Sequence, residues 1–194
     1  MIRVTLPDGN VREYEKGTTA MQVALSISEG LARNVLAAKV NFTQSEDSGF
    51  EIWDANRPLD EDVRLSLLTW NDAEGKATFW HSSAHLMAEA LEVLYPGTKF
   101  GIGPAIEKGF YYDIDLGGAE FSSDHFKTIE DKMIELARNK EDFKRESISK
   151  DKAVQYFQEK GDEYKLDLLE KINKFNMTSL INMSGKPFWI YWVE

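Results

Sequence analysis

Cysteine is absent from all 194 residues, which excludes disulfides, thiolate metal sites and a thiol nucleophile. Histidine is scarce: His81, His85 and His125 are the only side chains whose ordinary pKa lies near neutrality. Basic charge is in deficit, with 23 Lys and Arg against 33 Asp and Glu and a net charge of −10. A free-standing nucleic-acid-binding domain is usually basic. Residues 1–70 carry 7 basic and 11 acidic side chains, and residues 71–194 carry 16 and 22, so neither portion offers a phosphate-binding stripe. No contact with DNA is expected, and any RNA contact by this chain alone should be weak and local. No run approaches the roughly 18 apolar residues of a membrane span. The start Met1-Ile2-Arg3-Val4-Thr5 lacks a charged-then-apolar leader. The expectation is a cytoplasmic chain without a membrane partner.

What remains is ordinary globular composition, 42% hydrophobic and 29% charged, in a length that holds one large or two small domains. In residues 1–70, Ile2, Val4 and Leu6 alternate, Pro7-Asp8-Gly9-Asn10 supplies a turn, and Val11 to Tyr14 can return as a hairpin partner. Thr19 with Gln22 forms a capping-box pattern, and Met21, Ala24 and Leu25 share one face of the helix that follows. Val35 to Val40 and Val63 to Leu68 read as further strands, and Asp60-Glu61-Asp62 as an acidic turn rather than a catalytic pair. Strand, strand, helix, strand, strand in this length predicts an α+β unit of β-grasp, ubiquitin-like type.

Asn71 to Gly75 reads as a short polar linker, and a helix is expected from about Lys76 to Tyr95, stopped by Pro96-Gly97. Lys99 to Asp115 reads as a strand pair, with Phe110, Tyr112 and Ile114 on one face and Tyr111, Asp113 and Asp115 on the other. Ser122 or Ser123 can cap a helix with the stripe Phe126, Ile129, Met133 and Leu136, and His125 should be exposed at its start. A short strand near Phe143 to Ser147 follows, then a helix capped by Ser149 and ended at Gly161. Tyr164 to Lys171 adds a turn or two. From Asn173 the character changes: residues 173–194 carry only Lys174, Lys186 and Glu194 as charges and finish in Phe188-Trp189-Ile190-Tyr191-Trp192-Val193.

His81 and His85, four residues apart on a helix, share a face with Ala84 and Ala88, small residues that leave room beside the rings. Spacing alone leaves ordinary histidines and a metal or catalytic pair equally open. Without a Glu after His81 this is not the His-Glu-x-x-His motif. A structural zinc normally needs four ligands, and only His125, Asp113 or Asp115 could complete a set, so no metal is expected. Asp115 reads as part of a solvated strand face. Gly101, Gly103 and Gly109 permit close backbone approach or positive φ.

The order Phe79-Trp80-His81-Ser82-Ser83-Ala84-His85-Leu86, then Gly101-Ile102-Gly103-Pro104, then Gly109-Phe110-Tyr111-Tyr112-Asp113 is far more specific. It resembles the amino-terminal editing domain of threonyl-tRNA synthetases, and residues 1–70 resemble their small TGS domain. The resemblance covers about residues 1–172. It implies a TGS domain over 1–70, an incomplete α+β editing domain over 76–172 and an atypical apolar tail over 173–194. It also implies His81, His85 and Lys165 as catalytic residues, Lys165 following a Gly-Glu-x-Tyr pattern from which Gly161-Asp162-Glu163-Tyr164 departs slightly. Gly103, Tyr112 and Asp113 become substrate-binding candidates.

The chemistry implied is hydrolysis of the ester joining serine to the 3′ adenosine of tRNA, with the tRNA acceptor end as partner. No cofactor is implied for this chain. ATP and zinc would belong to a catalytic core that has no room in 194 residues, so the chain itself is not expected to aminoacylate. The family's Cys-Arg-Gly-Pro-His stretch, which completes the pocket, has no match after Asn173, so little editing by the chain alone is expected. A binding or regulatory module with a degenerate second domain, contacting RNA or protein, is the competing class, and an inactive structural fragment the third.

Overall fold

The computed structural model of this chain describes residues 1–42, 49–118, 121–139, 144–171 and 178–182. Two compact units divide the chain, residues 1–80 and 81–194.

In the first unit, β1 (Ile2–Thr5) turns back through Gly9, whose φ of 83° suits glycine. It pairs antiparallel with β2 (Val11–Tyr14), Ile2 opposite Tyr14. After β3 (Thr18–Thr19), Thr19 caps α1 (Ala20–Ile27) in a reciprocal capping box with Gln22. Then come α2 (Glu29–Ala32), β4 (Ala37–Phe42), β5 (Glu51–Trp53), β6 (Pro58–Leu59) and β7 (Val63–Leu68). The sheet order is β2-β1-β7-β4-β5, with β1 parallel to β7 and the other neighbours antiparallel. This is the β-grasp arrangement, and with the helices and strands of the second unit the chain is α+β, as the sequence suggests.

Alternation dictates which residues meet. Ile2, Val4, Val40, Val63 and Leu65 turn one sheet face inward, and Val23 and Leu59 close over it, all at 1% exposure or less. Two sequence expectations shift. Leu25 is 53% exposed, and α1 instead buries Ala20, Val23 and Ala24, the i, i+3, i+4 set that meets the sheet. β5 is an extra strand, too short at three residues to announce itself by alternation. The acidic turn is structural. Its Asp62 accepts hydrogen bonds from the Arg3 amide at 2.8 Å and Arg3 Nε at 2.9 Å. Those bonds hold its carboxyl below the usual range.

The long helix α3 (Ala73–Leu94) begins in the first unit and continues into the second. It starts three residues before the expected Lys76, because Asp72 ends the strand and opens the helix together. Its carboxylate accepts from the Thr69 amide at 2.7 Å, and its carbonyl accepts from the Lys76 amide at 3.0 Å. Gly75 is needed there, since a Cβ would lie 2.2 Å from the Thr69 carbonyl oxygen.

Beyond the Pro96-Gly97 stop, the expected single strand pair is two short ladders. β8 (Lys99–Phe100) pairs with β11 (Ile114–Asp115), and β9 (Ala105–Ile106) pairs with β10 (Gly109–Phe110). The Gly101–Pro104 loop and residues 111–113 interrupt them, although Gly101 and Ile102 still exchange backbone hydrogen bonds with Asp113. On α4 (Asp124–Asn139), Ile129 is buried and Met133 and Leu136 pack with Ala88, Leu91 and Phe100. Phe126 lies off this stripe at 53% exposure. His125, expected in solvent, is half-buried, stacked on Phe121 at 5.6 Å with Tyr95 edge-on at 5.9 Å.

β12 (Lys144–Ile148) leads to α5 (Lys150–Lys160), capped by Ser149 and ended by Gly161 in the left-handed conformation, and then α6 (Glu163–Lys171). Ala153, Phe157 and Leu169 bury the contact between these helices. Within the atypical tail, β13 (Thr178–Asn182) pairs antiparallel with β12. The aromatic run Phe188 to Val193 lies outside the described residues.

Residues 1–70 contain the whole β-grasp sheet and its core, so this segment expressed alone should unfold cooperatively in denaturant. Leu65→Ala in that segment should cost about 2–5 kcal/mol, the range for truncating a buried leucine. A non-cooperative wild-type transition would contradict the boundary.

Candidate functional site

All six residues singled out by the sequence lie in the second unit. The helical period puts His81 and His85 one turn apart on α3, with Ala84 and Ala88 fully buried beside them. Their Nε2 atoms are 3.1 Å apart and the rings meet edge-on at 4.5 Å. A hydrogen bond between imidazoles needs an N–H on one ring and a lone pair on the other, so the two rings are not cationic together. The surroundings push both toward the neutral form. Burial first, then the charges of His81 and Lys165, push the His85 pKa down to about 2. Burial also lowers His81, and a hydrogen bond with the Gly103 backbone opposes the shift.

The Gly101–Pro104 loop forms one wall. A Cβ on Gly103 would sit 2.5–2.9 Å from three ring carbons of Tyr112, so only glycine lets the loop close onto the ring. The need here is close approach rather than positive φ. Tyr112 in turn lies edge-on to His85 at 6.3 Å and to Phe100 at 5.6 Å. Burial, with the Asp162 charge adding, pushes its phenol up to about 12, so it remains a neutral hydroxyl.

Lys165 closes the set from α6. The side chain is 8% exposed, and Nζ donates to the Gly101 carbonyl at 2.7 Å. Burial lowers its pKa and the Asp162 carboxylate opposes the shift. A buried ammonium without such partners would cost several kcal/mol.

Asp113 is the exposed member. Its backbone pairs with Gly101 and Ile102, which fixes the loop, and its side chain lies against Gly101, where an added Cβ would come within 3.0 Å of the Asp113 Cβ. Asp115, expected to be solvated, is half-buried: Gly117 donates its amide to one carboxylate oxygen at 2.8 Å and the Tyr164 hydroxyl reaches the other at 3.5 Å.

A cleft of about 160 Å³ opens beside Tyr112 and Lys165, lined also by Phe100, Phe157 and Asp162, with Glu92 and Lys160 paired at 3.3 Å. The two histidines do not line it. Among the described residues no three His, Cys, Asp or Glu side chains are grouped as metal ligands. Nor is any helix there long and apolar enough to cross a membrane.

Two participants were not assigned from sequence. The Gly101 carbonyl carries no residue signal, because any residue would supply one. Asp162 does carry one: an Asp after a helix-ending Gly is a readable cap for the next helix. Together the site offers a neutral imidazole pair, a buried cation and a neutral phenol around one glycine loop.

In the chain this set follows a β-grasp unit. Residues 2–69 match the TGS domain family. Threonine–tRNA ligase of Cytophaga hutchinsonii is 64% identical over 178 residues, which is 92% of this chain and 26% of that enzyme. The same enzymes of Parabacteroides distasonis and Bacteroides thetaiotaomicron are 54% and 48% identical over the same shares. The chain is thus a TGS-domain protein with an α+β second unit. Its sequence corresponds to the amino-terminal region of threonine–tRNA ligases, and the chain spans about a quarter of the length of these relatives.

The neutral pair has a consequence for stability. Unfolded histidine titrates near 6.5, so below that pH the unfolded chain binds protons that folded His85 and His81 refuse. Stability is therefore full above about pH 6.5 and falls as pH drops, from His85 alone by up to about 1.4 kcal/mol per pH unit. Denaturant titrations at pH 6 and pH 5 should show a smaller fall for His85→Gln than for the wild type. Equal falls would mean that His85 is not held neutral.

Proposed function

We propose that the second unit is the editing module of a threonine–tRNA ligase, a pocket that hydrolyses the ester joining serine to the 3′ end of tRNA. The meeting of His81 with the Gly103 backbone, Lys165 with the Gly101 carbonyl and His85 with His81 and Tyr112 is the observation that carries this reading. The physical need is plain. A synthetic site for threonine cannot strongly reject serine, because one methyl group is worth only about 1–3 kcal/mol of discrimination. A second pocket that destroys the smaller product restores accuracy.

In this reading a water enters beside the imidazole pair and takes over its internal hydrogen bond. The unprotonated nitrogen accepts the water proton as the oxygen attacks the ester carbonyl. The carbonyl electrons move onto oxygen, where the Lys165 ammonium stabilises them with the N–H bonds not held by Gly101. Collapse breaks the ester C–O bond, and the proton passes to the ribose oxygen, leaving serine and free tRNA. An imidazolium could not accept that proton, and His85, pushed down to about 2, accepts one poorly, so His81 is the base and His85 its neutral partner. Gly103 and Tyr112 shape the wall that meets the aminoacyl group, and Asp113 holds the loop through its backbone and through the side chain packed beside Gly101.

The partner is the acceptor end of tRNA, bound weakly by this acidic chain. The setting is the cytoplasm, where protein synthesis takes place. Residues 1–70 and 76–172 are the TGS and editing domains. ATP and zinc would serve an aminoacylation core, not this unit.

The chain has no counterpart of the Cys-Arg-Gly-Pro-His stretch. Groups in such a site act as a unit, so losing one removes most of the activity. Single-turnover deacylation of seryl-tRNA should accordingly be slow with this chain. Replacing residues 173–194 by the corresponding segment of a full-length relative should raise it by two orders of magnitude or more. His81→Ala should abolish the gain, by about 10²–10⁴-fold for a lost acid–base group. A chimera no faster than the parent chain would overturn the editing reading. Fast, His81-dependent release by the unmodified chain would overturn the role given to the missing stretch.

A further inference from the structure

Lys165 reaches the site from an unlikely place, the first turn of a helix. The positive end of the α6 dipole repels a cation there, and burial penalises its charge again. Something must hold the side chain in position, and the corner before α6 supplies it.

Helix α5 ends at Gly161, with φ 66° and ψ 26°. The next residue, Asp162, donates its amide back to the Phe157 carbonyl at 3.0 Å, so the chain passes from one helix to the next within this corner. Asp162 then opens α6 in two ways. Its carbonyl accepts from the Leu166 amide at 3.1 Å, and its Oδ1 accepts from the Lys165 amide at 3.0 Å. Phe157 and Leu169, at 2% exposure or less, anchor the helices on either side. With the corner fixed and the Lys165 backbone tied to it, Nζ lands on the Gly101 carbonyl.

We propose that Asp162 is a positioning residue of the candidate editing site: through its Oδ1 bond to the Lys165 amide, and as a counter-charge, it sets the buried ammonium against the Gly101 carbonyl. This assignment rests on the editing reading for its purpose, though not for its geometry. The other charged groups on this side are Glu92 and Lys160, paired with each other, and Lys99, all lining the same cleft. The carboxylate at the start of α6 is the one whose charge favours protonated Lys165, in agreement with the placement.

The proposal separates two contributions that variants of the full chain can resolve. Asp162→Asn keeps an oxygen acceptor for the cap but removes the charge, and Asp162→Ala removes both. Competitive acetylation of lysines with trace acetic anhydride across a pH series, read by mass spectrometry, gives the rate and titration midpoint of Lys165 with the exposed lysines as internal references. Asp162→Asn should leave Lys165 shielded and lower its midpoint by half a pH unit or more. Asp162→Ala should expose it, raising its labelling at least tenfold toward that of the reference lysines, while far-UV circular dichroism stays near wild type.

Wild-type rate and midpoint in both variants would overturn the proposal. If Asp162→Ala fails to fold, Asp162→Asn decides alone: a lowered midpoint supports the proposal and an unchanged one overturns it. Because labelling reads the place of Lys165 and not hydrolysis, a failed editing assay leaves this result standing, and the reverse also holds.

Discussion

The contact on which the second unit depends is the 2.7 Å hydrogen bond from buried Lys165 Nζ to the Gly101 carbonyl. A lysine is rarely buried without a partner, and this one joins elements far apart in sequence: the glycine loop after β8 and the first turn of α6. The loop it holds is the one whose Gly103 admits the Tyr112 ring, and Tyr112 lies edge-on to His85. The position of the ammonium therefore propagates to the wall, the phenol and the imidazole pair. The same charge is one of the causes that keep His85 neutral. Structure and electrostatics here share one anchor.

The first unit is built differently. Its core needs no buried charge, only the alternation of Ile2, Val4, Val40, Val63 and Leu65 against Val23 and Leu59. Its polar groups act at the edges, as Asp62 on Arg3 and Asp72 on Thr69 and Lys76 do. A family in which a β-grasp unit precedes a site-bearing unit can thus place stability in one and the burial of charge in the other. Burying Lys165 and His85 costs stability that an apolar core would not.

Local rules made much of this legible. The Thr19–Gln22 capping box, the Ser149 cap, the Gly161 stop and the Pro96-Gly97 stop are each readable from a few residues. The i, i+4 spacing put His81 and His85 together, and the motif order linked them to Gly103, Tyr112 and Lys165. What was not legible depended on partners far away in sequence. Leu25 and Phe126 satisfy a helical stripe but point away from the elements their helices pack on. His125 looked exposed because nothing local announces the Tyr95 ring beside it. Asp113 lies where the expected strand is interrupted, so its backbone bonds to Gly101 and Ile102 and its packing on Gly101 were not readable from alternation. The Gly101 carbonyl is invisible to any reading of side chains.

The central claim is that two neutral imidazoles and a buried ammonium share one site. Imidazole 15N NMR of the full chain across pH 7.5 to 5 tests it most directly. His85 should stay neutral through this range without any inflection, its pKa being pushed down to about 2, and His81 should titrate below the ordinary 6.5, with a hydrogen-bonded proton between the two rings. Two histidines titrating independently near 6.5 would contradict it.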